Sequence, residues 1–187
     1  WTRQSSRHMF GAAIMEAAVT DEKLMVIAAD VAASANLKLF EERYPSKFLN
    51  VGISEQCMLG ISVGLAKEGF HVFIVSFAPF ASMRIFEGLR TYLGYMQLNV
   101  TVVGIGSGFG LGTQGNTHYG LEDIALTRTI PGMTILSPSD NTETVKSVFA
   151  ALDYPGPLYL RLTGITGNQA VYKEDYDYVI GKAIKLS

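Results

Sequence analysis

The run VTVVGI at 100–105 is apolar at consecutive positions rather than alternate ones. A strand with one wet face alternates apolar and polar residues, so an unbroken run needs cover on both faces. Parallel sheets obtain that cover from the helices that cross between their strands. HVFIVSF at 71–77 and LMVIAA at 24–29 have the same character. The expected order is helix 6–20, strand 24–30, short helix 37–44, strand 48–52, helix 54–68, strand 71–77 and helix 79–96. Strand 99–106, a loop through Tyr119, helix 121–130, strand 133–137, helix 140–153 and strand 157–163 follow. The fold class is therefore α/β, a three-layer sandwich with a mostly parallel central sheet. DNTE at 140–143 predicts a capping box, with Asp140 as the cap and Glu143 reaching back.

At 187 residues, 48% of them hydrophobic, one well-buried domain is expected, covering about 70% of its unfolded surface. Lys and Arg number 15 against 17 Asp and Glu, so charge gives no case for nucleic acid or an anionic membrane as partner. No apolar run approaches the ~20 residues of a membrane span, and the N-terminus lacks the order of a signal peptide. The single cysteine, Cys57, excludes an internal disulfide and fits a cytoplasmic location.

Residues 50–60, NVGISEQCMLG, place one carboxylate, Glu55, in the first turn of a helix otherwise almost without charge. Ser54 is the expected N-cap, and the helix runs through ISVGLAKEGF to a Gly stop. Shielded by Cys57, Met58, Leu59 and Ile61, the acid is expected to have a pKa raised by desolvation, suited to proton exchange near neutral pH. The same placement also satisfies the helix macrodipole with no chemistry at all.

Further along, HVFIVSFAPF ends in Phe77 and Phe80, and VTVVGIGSGFGLGTQGNTHYGLEDIALTRTIPGMTILSPSD reads as strand, Gly-rich loop with His118, helix and strand. Together with AADVAASAN and NVGISEQCMLGISVGLAKEGF, these blocks resemble the pyrimidine-binding domain of transketolase and its relative deoxyxylulose-5-phosphate synthase. The resemblance holds in order and spacing over roughly residues 8–163. It implies a thiamine diphosphate-binding fold, with residues 1–166 as the pyrimidine-binding domain.

In that family a glutamate bonds a nitrogen of the aminopyrimidine ring and so promotes the imino form that deprotonates the cofactor; the matching residue is Glu55. Phe77 and Phe80 match the aromatics that hold the ring, where stacking adds about 1 kcal/mol each beyond burial. Asp30 matches an acid near the thiazolium and the diphosphate side. His118 matches a histidine that faces the substrate and moves protons between its hydroxyl and carbonyl oxygens, a step that suits an imidazole. Ser34 matches a serine that touches a substrate phosphate. Each residue also has a plainer reading: core packing for the two phenylalanines, backbone bonding for His118, and helix capping for Asp30 and Ser34.

The departures bear on the substrate. A second substrate histidine of transketolase would fall near Gly106, a hydroxyl-reading aspartate at Gln114 and a phosphate-binding arginine at Gly164. Arg161 lies three residues earlier, an offset that points to the opposite face of an extended strand. An unusual sugar, or a different phosphate grip, is implied.

The Gly-Asp-Gly segment that carries diphosphate and Mg²⁺ in this family is absent. GIGSGF lacks the third glycine of a dinucleotide fingerprint at its required spacing. The resemblance thus implies a partner subunit bearing the diphosphate domain and the Mg²⁺ ligands, and a homodimer of this chain built on the Glu55 helix. Residues 167–187 would be a linker toward a small C-terminal domain. The expected function is the pyrimidine-binding half of a transketolase that passes a two-carbon ketol unit from a ketose to an aldose, on sugars or sugar phosphates. The alternatives are a synthase-like condensation starting from pyruvate, the beta subunit of a 2-oxoacid dehydrogenase, whose loops lack THYGLEDIALTR, and a non-catalytic partner-binding remnant.

Overall fold

The computed structural model describes residues 4–164, 166, 169–172 and 174–185. Six strands, β1 (Leu24–Ala28), β2 (Phe48–Asn50), β3 (His71–Phe77), β4 (Val100–Ile105), β5 (Thr134–Leu136) and β6 (Leu158–Leu162), form one sheet. Their order is β2-β1-β3-β4-β6-β5, and every pairing is parallel.

The unbroken apolar strands are explained by two separate cores. On one face, α1 (Ser6–Thr20) and α6 (Asn141–Leu152) bury Phe10, Ile14 and Val148 against Phe73, Val75 and Val103. On the other, α3 (Glu55–Lys67) and the helical run 80–95 bury Met58, Leu89 and Leu93 against Val72, Ile74 and Val102. Successive residues of β3 alternate between the two cores, so polar residues have no wet face to occupy. Each such side chain contributes about 1.5–3 kcal/mol by leaving water.

Several elements are shorter than expected. β1 stops at Ala28 because Asp30 has φ 58°, outside extended geometry. α2 covers Lys38–Arg43, and α5 covers only Asp123–Thr127. The missing first turn of α5 belongs to a loop closed by a Gly108–Gly120 bridge, and its far end tightens into i−3 bonds from Thr129 and Ile130.

The segment expected as one regular helix is π-helical over Phe80–Arg84 and Leu89–Tyr95, with a short α-turn, α4 (Phe86–Gly88), between them. At the head of α6, Asp140 accepts the Glu143 amide at 2.8 Å. Glu143 reaches Ser139 N–H at 2.7 Å rather than the Asp140 amide.

Positions 167, 168, 173, 186 and 187 of the expected linker lie outside the described residues. The described remainder forms no strand and lies along α6. Val171 N–H donates to Asp140 Oδ2 at 2.8 Å, and Lys146 Nζ donates to Asp175 Oδ1 at 2.7 Å.

Candidate active site

The winding of the sheet reverses between β1 and β3: the chain leaves β1 for the β2 edge and then builds outward in the other direction from β3. Parallel sheets open a crevice at the carboxyl ends of their strands at such a point. A cleft of about 310 Å³ lies there, and its walls include Asp30, Glu55, Phe77, Phe80 and His118. β1 delivers Asp30, β3 delivers Phe77, and the connection from β2 leads directly into Glu55 at the head of α3. Five of the six residues singled out in the sequence therefore share one cavity. Ser34, in the turn that follows β1, is half-buried and off the cleft wall.

Glu55 is shielded from water, but not by the residues expected. Cys57 is exposed, Ile61 is partly so, and Met58 and Leu59 point into the core. Instead Ser76, on β3, donates its hydroxyl to Oε1 at 3.2 Å, and Arg84 donates Nη1–H to Oε2 at 2.8 Å. The Glu55 side chain is 3% exposed and that of Arg84 is 43% exposed. Ser54 occupies the N-cap position without a side-chain capping bond.

Three rings pack edge to face beside the carboxylate. Phe77 and Phe80 are 6.2 Å apart by centroid, Phe77 and His118 5.7 Å, and Phe80 and His118 5.2 Å. The Arg84 guanidinium lies 4.2 Å over the Phe80 ring. His118 Nδ1 is 3.0 Å from Thr117 Oγ1. Asp30 N–H donates to Asn50 Oδ1 at 3.1 Å, and Gly52 N–H donates to the same oxygen at 3.0 Å. That one acceptor ties the end of β1 to the entrance of α3.

The loop that carries His118 is anchored from below. Asp123 is fully buried, and its Oδ2 accepts from Tyr159 Oη at 3.0 Å and from Arg161 Nε at 2.9 Å. Asp123 Oδ1 has no partner among the described residues. Burial, then the Asp123 charge, push the Tyr159 phenol well above its usual 10.0, so it stays a donor. Arg161 is thus engaged beneath the loop and is absent from the cleft walls.

The departures have steric counterparts. A Cβ at Gly106, where φ is +67°, would stand 2.6 Å from Leu111, and one at Gly164 would stand 2.5 Å from Arg7 Nε. Gln114 is exposed in a short 3₁₀ turn.

The sequence reading missed Ser76 and Arg84. Its available signal was one cation in the otherwise apolar SFAPFASMRIF, but nothing in that run names Glu55 as its partner. Among the described residues no group of three or more His, Cys, Asp or Glu is placed to hold a metal ion, and no helix is long and apolar enough to cross a membrane.

The family described as the transketolase pyrimidine binding domain matches residues 3–166. The chain is 37% identical over 96% of its length to an apulose-4-phosphate transketolase subunit of Phocaeicola vulgatus, of which the match covers 58%. It is 32% identical over 92% of its length to the 6-deoxy-6-sulfo-D-fructose transketolase subunit of Clostridium sp., of which the match covers 53%. A solved split gene transketolase, described as an inactive beta4 tetramer, superposes with a TM-score of 0.84 at 32% identity, covering 96% of this chain and 57% of that one. The chain spans about half the length of the curated relatives it matches.

Proposed function

The chain belongs to the transketolase pyrimidine-binding domain family, and from that membership we propose that it is the pyrimidine-binding half of a two-subunit, thiamine diphosphate-dependent transketolase. The observation that carries this reading is the buried Glu55 carboxylate beside the Phe77, Phe80 and His118 rings, in one cleft at the reversal of the sheet. That donor set fits an aminopyrimidine: an acid for a ring nitrogen, aromatic side chains for its edge or face, and a wall that excludes water. When bound, the cofactor supplies the nucleophilic carbon that carries a two-carbon ketol unit from a ketose to an aldose.

Glu55 holds the proton at the ring nitrogen, with Ser76 fixing its second oxygen. Phe77 and Phe80 orient the ring and keep the site dry. Asp30 closes the thiazolium side. His118 moves protons at the substrate oxygens, and Ser34, off the cleft wall, is left for the far end of the substrate. Diphosphate and Mg²⁺ are assigned to a partner subunit, and residues 167–187 to a linker toward a further small domain, in keeping with the chain's share of its relatives.

The outer face of α3 supports a homodimer. Cys57, Gly60 and Gly64 line it in the open, a Cβ at either glycine would meet nothing within 4 Å, and the neighbouring Ile53 is 77% exposed. The similar split-gene chain, described as a beta4 tetramer, is in line with self-association.

The Phocaeicola and Clostridium subunits are named for different sugars, and the glycines at 106 and 164 support a substrate outside the usual set. A synthase-like condensation is the weaker reading, since the synthases match 82% of the chain against 96% for the Phocaeicola subunit and 92% for the Clostridium one.

Glu55→Gln is nearly isosteric and is expected to fold normally, yet to lower turnover of the two-subunit enzyme on the order of 10²-fold or more. Circular dichroism and steady-state rates check this. Activity within a fewfold of the parent would overturn the assignment of Glu55 as the catalytic acid. The chain alone is expected to bind thiamine diphosphate and Mg²⁺ weakly or not at all by calorimetry, and micromolar binding would overturn the half-site assignment.

A further inference from the structure

Arg84 makes two contacts, and each uses a surface that an aminopyrimidine needs. Its Nη1 occupies Glu55 Oε2 at 2.8 Å, and its guanidinium covers the Phe80 ring at 4.2 Å. The pair is lopsided, since Glu55 is 3% exposed and Arg84 43% exposed. The carboxylate cannot move to water, and the arginine can.

There is also somewhere for the arginine to go. Arg84 forms part of the wall of a second depression of about 250 Å³, which Gln56, Glu87 and Tyr92 also line and His118 does not. Glu87 there offers an alternative carboxylate. Glu55 keeps the Ser76 hydroxyl at Oε1, but leaving the buried Oε2 without a donor is unfavourable, so the arginine departs only when another donor takes its place.

Resting on the pyrimidine-site reading, we propose that Arg84 is a displaceable cap on the cleft. It holds Glu55 and covers Phe80 while the cleft is empty, and it swings toward Glu87 as the aminopyrimidine takes over both contacts. Arg84 is then a positioning residue that opposes cofactor entry, because binding must first break its two contacts, and the apparent affinity falls in proportion.

Two measurements test this. The first needs no cofactor: in ¹⁵N-arginine spectra of the chain, the Arg84 guanidinium, assigned by its loss in Arg84→Met, is expected to show hindered rotation that Glu55→Gln releases. Unchanged rotation in that variant overturns the proposal. The second is calorimetric titration of the two-subunit complex with thiamine diphosphate. Arg84→Met is expected to bind fivefold or more tightly, Arg84→Lys to fall between Met and parent, and Glu87→Gln to bind more weakly than parent. Unchanged or weaker binding by Arg84→Met overturns the cap, and weaker binding would instead make Arg84 a cofactor ligand. If Glu55→Gln abolishes turnover while Arg84→Met leaves affinity unmoved, the cap fails and the pyrimidine-site reading stands. If no variant binds cofactor, both fail.

Discussion

Glu55 and Asp123 are both buried carboxylates in the first turn of a helix, and each accepts from one arginine and one hydroxyl. They differ in what lies beyond the arginine. Arg161 is 17% exposed and packs beneath the 108–120 loop, next to a fully buried Tyr159. Arg84 is 43% exposed and stands between two open cavities. The same three groups thus make a fixed strut in one place and a pair that can open in the other. A carboxylate meant for chemistry needs a partner that can leave. One meant for structure needs a partner that cannot.

The largest effect expected from this contrast is at Arg161. Arg161→Met leaves Asp123 charged and buried with only the Tyr159 hydroxyl, and should cost about 3–5 kcal/mol in urea unfolding. A loss near that of an ordinary surface substitution would break the comparison.

Tyr159→Phe removes the other donor to the same carboxylate and should cost about 1.5–3 kcal/mol. It should also change the alkaline limb. The phenol of the folded chain lies well above its usual 10.0 because of burial and then Asp123. Its share of stability is therefore complete below the unfolded value and is lost as pH rises beyond it, when only the unfolded chain sheds the proton. Unfolding curves measured upward from about pH 9.5 should fall less steeply for Tyr159→Phe than for the parent.

The smallest effect is expected at Arg84. Arg84→Met exchanges a half-exposed guanidinium for a methionine and leaves Glu55 the Ser76 hydroxyl, so the loss should fall below both of these, about 1 kcal/mol. A cost equal to that of Arg161→Met would mean that the two pairs are alike and that Glu55 is held as rigidly as Asp123.

Much of the frame was legible because it rests on local pattern. Consecutive apolar residues in VTVVGI and HVFIVSF demanded two covered faces, and the two cores provide them. Helix lengths were harder. A period of 3.6 residues cannot be told from a wider π turn over the few residues of FASMR, and the shortening of α5 depends on the Gly108–Gly120 bridge made outside it. The apolar flank of Glu55 pointed correctly to a dry site but to the wrong shield, since Met58 and Leu59 serve the core beneath. Arg161 was expected to face away from its neighbour at 164; its engagement with Asp123, 38 residues earlier, had no trace in spacing.

The sequence alone determined the elements, the parallel sheet, and which side chains stand at strand ends and helix starts, because those follow from periodicity and from chemistry within a few residues. The pairing of groups distant along the chain was decided only by the tertiary structure. Glu55 meets Arg84 across 29 residues, and His118 reaches Phe77 from a separate loop. The energy of an ion pair or a ring contact depends on distance, exposure and the cavity beside it, and those quantities exist only once the sheet has brought its strand ends together.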